Sequence, residues 1–430
     1  MVVILFVYLL STAIQFRLLS FLSTGSDRAT TDWQEEFNNG QEQQLLQQNQ
    51  QPMTPEETLA STTRCAILLW GLPRAFQSIV LPSLIKNVLE PNAQYNCDYF
   101  VHYFALTEEA SGRSGRGGKL NPHEIREVLE PVVHRVAASY HQFHRRRKQL
   151  LQSRSQLPPH VGFRVDSEES FWKQYSDLMD RIHNTRDSSG RYLYFPWKAK
   201  TYHYPHTTDN IIKMWHTIQS AWQLMTDYAN EHNIQYARVA MLRSDVMYVT
   251  PIHIWERQHS HQPLDIHNQY AVVPGFGRYP VSDRMIYGPA AAVKIWATQR
   301  FDLLEQHVQY ILENDPGWGL HSERFVNYTL FPTMRKLTGV TIVEHDTLCF
   351  FRARSDETVW IQDCTGNPDP AVTKPSVVQA MGKGTEKARA VVERALRRKC
   401  GDLIMTTKPK MITLDCSTTT STSMTSESLT

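Results

Sequence analysis

The stretch YARVAMLRSDVMYVTP, residues 236–251, is largely apolar until Arg243, Ser244 and Asp245 interrupt it. Up to that point both alternating faces of VAMLRSDVMYV are apolar, the pattern of a central parallel strand covered by helices on both sides. Residues two apart in a strand point the same way, so Arg243 and Asp245 share one face near its carboxyl end. Open α/β sheets bind ligands at that end. Two readings stay open: the charges pair with neighbours and close the strand, or they face a ligand or metal. Two desolvated charges are expensive inside a sheet, and a ligand or metal is the commoner reason for keeping them.

A second carboxylate stands in DPGWGLHSERFVNYTLF, where Trp318, His321 and Glu323 precede an apolar-patterned helix. A glycine-rich approach followed by a carboxylate suits a catalytic base; Glu323 in a capping box is the structural alternative. Other motifs carry less. SGRSGRGGKL lacks the Lys-Ser/Thr ending of a phosphate loop, PGFGRYP lacks the third glycine of a dinucleotide fingerprint, and the histidines of HSHQPLDIH and YHYPH have no HExxH arrangement. HRRRK reads as a solvated helix face, with contact to an anionic polymer as the alternative.

The elements that must position these residues follow from periodicity. CAILLWGLPR is a buried strand running into a turn, and a helix is expected over Ala75–Leu89. CDYFVHYFAL repeats the strand pattern, and RVAASYH, residues 135–141, is a weaker third candidate. Strands alternating with helices predict a parallel sheet. The longest helix is expected over Thr208–Asn230, with Ile211, Trp215, Ile218, Trp222 and Met225 on one face and its threonines and Asp209 suited to an N-cap. YAVVPGFGRYPVSDRMIYGP reads as a strand, a glycine turn and a short strand before a helix starting near Ala290.

A net charge of +2 over 430 residues gives no global field, so neither a nucleic-acid-binding protein nor a strongly acidic one is indicated. The apolar leader, residues 1–25, reads as a signal anchor, with Arg17 near an interface, or as a cleaved signal peptide. Either sends the rest into the secretory pathway. A Gln-rich stem over 26–62 lacks the apolar content to order itself, a folded core spans 63–354, and 355–430 is basic and then Ser/Thr-rich. Six cysteines permit disulfides or buried thiols, with connectivity open; none has CxxC spacing, so zinc is not expected. The sequon at Asn327 lies in an apolar-patterned segment that would bury it.

Four pieces in order, GLPR, DNIIKMW, LRSDVMY and SDRMIYGPAAAVKIW, give the core a family resemblance. The chain resembles GT-A-type glycosyltransferases, closest in pattern to the WavE-type lipopolysaccharide-synthesis enzymes and their eukaryotic relatives. The resemblance implies an α/β GT-A-like fold, a mainly parallel sheet with helices on both faces, and a nucleotide-sugar donor whose nucleotide lies beside Gly71 and Arg74. It implies transfer to a glycan or glycoconjugate acceptor by a protein of the Golgi or endoplasmic reticulum lumen, held to the membrane by its N-terminal segment, or secreted.

Asn210 and Lys213, one helical turn apart, would face the ligand; otherwise they are a cap neighbour and a solvated lysine. Asp245 matches the last aspartate of the Asp-x-Asp motif that holds Mn²⁺ or Mg²⁺, while Arg243 takes the place of its first and would grip phosphate directly, which leaves metal dependence open. Asp283 and Arg284 match an Asp-Arg step where acceptor and donor sugar meet, or form a loop salt bridge. Asp283 and Glu323 are the candidate catalytic carboxylates, with Glu323 a base or a sugar-hydroxyl ligand.

Overall fold

The computed structural model describes residues 64–111, 117–145, 158–255, 269–345, 348–356, 358–360 and 411–413. The leader, the stem and most of the C-terminal extension lie outside these residues. Among the described residues no helix is long and apolar enough to cross a membrane.

The core is a seven-stranded sheet in the order β10-β8-β9-β6-β1-β2-β5. These strands are β1 (Cys65–Trp70), β2 (Asp98–Phe104), β5 (Val161–Asp166), β6 (Arg238–Arg243), β8 (Tyr270–Pro274), β9 (Ile286–Pro289) and β10 (Thr341–His345). All run parallel except β9, which is antiparallel to both β6 and β8. The expected α/β class with a mainly parallel sheet is therefore present.

β1 shows how sequence becomes layers. Its alternate residues Cys65, Ile67 and Leu69 enter one hydrophobic core, and Ala66, Leu68 and Trp70 enter the other. Burying each of the large side chains contributes about 1.5–3 kcal/mol. The first core is covered by a helical run over 76–92 and by α1 (Glu124–Arg145); the second is covered by α4 (His206–Glu231) and α5 (Ala290–Thr298). Between α1 and α4 lie β5, α2 (Glu168–Gln174) and α3 (Ser176–Asn184). On α4, Ile211, Trp215, Ile218, Trp222 and Met225 are buried as their spacing requires.

Three expectations need correction. Residues 135–141 are not a strand but part of α1, because Ile125, Leu129, Val132, Val133 and Ala137 continue a buried helical face through them. The third parallel strand is β5 instead. Asp209 does not cap α4: the helix begins earlier, its N-cap is Pro205, and Asp209 is buried one turn inside with His183 at 2.7 Å. Nor does Glu323 form a capping box, since His321 is the N-cap of Ser322–Phe325 and makes no side-chain cap.

Three π-helical turns, Phe76–Val80, Ile85–Leu89 and Val326–Leu330, each end two residues before a proline, Pro82, Pro91 and Pro332. Proline lacks an N–H and crowds the carbonyl four residues back, and a wider turn upstream relieves both without breaking the helix.

A second sheet, β13-β12-β11-β7, is antiparallel and consists of β7 (Val246–Tyr248), β11 (Phe350–Ala353), β12 (Thr358–Trp360) and β13 (Met411–Thr413). Its strands draw on residues beyond 354, so the folded part does not stop there. Ser244 and Asp245 are the corner at which the chain leaves β6 for β7. A small hairpin pairs β3 (Glu108–Glu109) with β4 (Gly118–Lys119).

One disulfide joins Cys65, which opens β1, to Cys97, just before β2. Cys349 is also disulfide-bonded.

Candidate functional site

From β1 the sheet grows outward through β2 and β5, then returns to β6 on the other side of β1. The strand order thus reverses between β1 and β6, and the crevice beyond their carboxyl ends is the usual ligand site of such sheets. The register sets Trp70 opposite Arg243, so Gly71 and Ser244 meet just past the strand ends. Ser244 Oγ donates to the Gly71 carbonyl at 2.8 Å. Gly71 has φ of 107°, a conformation that favours glycine and lets the chain turn sharply toward Arg74.

Arg74, Arg243 and Asp245 converge there. The Arg243 guanidinium donates to Asp245 through Nε at 2.7 Å and Nη2 at 2.8 Å, while Arg74 Nη1 pairs with Asp245 Oδ2. The other side of Arg74 forms a fork on Glu109, at 2.8 and 2.6 Å. Glu109 arrives on the small hairpin and also accepts from Ser355 Oγ. The Arg243 guanidinium lies 5.1 Å above the Trp70 ring, and Tyr248 Oη donates to the Arg243 carbonyl at 2.6 Å.

The Asp245 side chain is 0% exposed. Burial works against its charged form, yet Arg243 and Arg74 outweigh it and hold the carboxyl well below the usual range. Burial likewise opposes ionisation of Glu109, and Arg74 reverses that too. The buried Arg354 adds a third positive charge acting on both carboxylates. Arg74 and Arg243 thus stand side by side at the strand ends, and guanidinium groups so placed can grip an anion such as phosphate.

The structure gathers some of the remaining expected residues and leaves others apart. Asp283 is buried and accepts from Ser322 Oγ, which ties it to the segment carrying Glu323. Glu323 lies 3.3 Å from His321, whose ring stacks on Tyr202. Arg284 packs over Phe276, 5.6 Å from the ring centroid, beside Gly277. Lys213 pairs with Glu168 at 2.6 Å, and Asn210 is exposed one turn before it on α4. Asn327 is half-buried, and its sequon partner Thr329 is buried against His307.

Sequence reasoning missed Glu109, Arg354 and a cluster of His102, Asp166 and His216. His102 is a titratable side chain inside the apolar run of β2, which was the available signal. Asp166 ends a strand that was not expected, and His216 sits on the α4 face assigned to the core. In a comparison with known proteins, no family model and no curated protein matches the chain.

Proposed function

We propose that the protein is a glycosyltransferase of GT-A type, moving a sugar from a nucleotide-sugar donor to a glycan or glycoconjugate acceptor. The observation that carries this reading is that the Gly71–Arg74 turn and the Arg243–Asp245 corner meet at the strand-order reversal. A donor diphosphate there would exchange for Glu109 on Arg74 and engage Arg243, and the guanidiniums would stabilise charge growing on the leaving nucleoside diphosphate. Asp283 and Glu323, linked through Ser322, would serve the acceptor side as base or sugar-hydroxyl ligands. The Cys65–Cys97 disulfide supports an oxidising compartment, in keeping with a secretory-pathway protein.

A divalent cation at Asp245 does not fit this arrangement. Both carboxylate oxygens already face guanidiniums, and a dication would lie against those fixed positive charges. The donor site in this reading works through arginine alone.

The test is calorimetric titration of the purified chain with UDP, GDP and a panel of their sugars, with and without Mn²⁺. Binding that weakens at least tenfold in Arg243→Gln supports the assignment. No binding to any member sinks it. A second reading, a catalytically inactive carbohydrate- or partner-binding relative, is favoured by the same saturation of Asp245 and Arg74. Donor binding without hydrolysis or transfer would select it.

A further inference from the structure

We infer that His102, Asp166 and His216 form a binding site for a single zinc ion, separate from the arginine crevice. The three residues come from β2, the end of β5 and α4, so the fold and not local sequence assembles them. Across the parallel β2–β5 pair, His102 lies opposite Arg164 and Phe104 opposite Asp166, which puts His102 and Asp166 on the same face as diagonal neighbours. α4 crosses that face and delivers His216.

Both imidazoles direct Nε2 at one carboxylate oxygen, Asp166 Oδ2, at 2.9 Å from His102 and 2.8 Å from His216. The three ligand atoms lie within 4.8 Å of one another. A tetrahedral zinc with bonds of about 2.0–2.1 Å to nitrogen and oxygen separates its ligands by roughly 3.3 Å. Lengthening each of the two imidazole–carboxylate distances by about half an ångström would bring it to that spacing.

The surroundings match a metal centre in four respects. His102 is fully buried and His216 nearly so, and burial favours the neutral imidazole, the form that ligates metals. Tyr175 Oη lies 3.2 Å from His216 Nδ1, the outer hydrogen bond that fixes the tautomer of a ligating histidine. Ser220 Oγ, 3.4 Å from His216 Nε2, is near enough to complete the shell or hold a water there. Phe104 and Phe171 pack on the His216 ring at 5.6 Å each and exclude solvent, while Asp166 keeps 27% of its side chain exposed and gives an ion a way in.

Two imidazoles and one carboxylate select zinc and similar transition ions over Mg²⁺ or Ca²⁺, which prefer all-oxygen shells. The absence of CxxC spacing excludes a cysteine-type zinc site and has no bearing on two histidines and a carboxylate brought together by the fold. Zinc would also neutralise the Asp166 carboxylate, which the two neutral rings only solvate.

The experiment uses the untagged full chain, stripped with a chelator, desalted, and titrated with zinc chloride against a colorimetric zinc indicator. Bound metal is counted by mass spectrometry. One zinc per chain is expected, with submicromolar affinity and a raised melting temperature. His216→Gln and Asp166→Asn should each weaken binding at least 100-fold and abolish the thermal shift. Circular dichroism confirms that each variant is folded; Asp166→Asn, at the exposed edge, covers the case in which His216→Gln is not. No zinc uptake by the stripped chain overturns the assignment, as does uptake that both folded variants retain.

Discussion

Replacing Asp245 with Asn keeps the shape of the side chain and removes its charge at the centre of the arginine crevice. Three guanidinium contacts, two from Arg243 and one from Arg74, end on this carboxylate, which has no exposed surface. However an asparagine amide turns, its NH₂ group meets a guanidinium N–H, donor against donor. Arg243 then loses the carboxylate its guanidinium grips and Arg74 keeps only Glu109, a loss of roughly 3–5 kcal/mol. At about 2–4 °C per kcal/mol, the melting temperature should fall by on the order of 10 °C. Urea unfolding of parent and variant, compared at equal slope, gives the free energy directly. The double variant Arg243→Gln/Asp245→Asn should lose less than the two single losses added, since it removes both partners. The folded carboxyl is depressed, so its stabilisation is complete above the ordinary pKa of about 3.9 and fades only as the pH falls below that value. A loss under about 1 kcal/mol, the scale of an exposed pair, would refute the claim that Asp245 holds the crevice together.

Three further outcomes are expected. The Cys65–Cys97 bond closes a separation of 32 residues, so Cys65→Ala/Cys97→Ala should cost roughly 3–4 kcal/mol in calorimetry, and an unchanged melting temperature would contradict that. The buried His307 is pushed down to about 3 by burial, so the unfolded chain takes up a proton from near pH 6.5 downward while the folded one does not. Stability is therefore lost as the pH falls; between pH 7 and 5 the parent should lose about 2 kcal/mol more than His307→Gln, and equal losses would show that the ring is not held neutral. In Gly71→Ala the added Cβ would meet only Ser244 Oγ at 3.6 Å, so the cost, about 1–3 kcal/mol by urea unfolding, is that of the backbone at φ 107°; no measurable cost would show that the turn adapts.

The sequence by itself determined the elements whose burial is periodic. β1, β2 and β6 are apolar on both faces, as strands between two helical layers must be, and α4 repeats its large apolar residues at helical steps. The hairpin-like passage from Tyr270 to Pro289 and the helix after it follow from the same patterns. The pattern failed where periods compete: residues 135–141 have the β-branched and aromatic content of a strand, yet their buried positions recur at helical steps set by α1 upstream. The position of Arg243 and Asp245 at a strand's carboxyl end was also legible, because strand direction and alternation are local properties.

What they touch was not. Arg74 stands 171 residues before Asp245 and 35 before Glu109, and only the parallel pairing of β1 with β6 and the fold of the hairpin bring the three together. The partner of Cys65 depended on β1 and β2 being neighbours. His102, Asp166 and His216 share no motif spacing, since two come from adjacent strands and one from a helix laid across them. Periodicity reports which face of an element is buried, whereas a site depends on which faces meet, and long-range packing alone decides that.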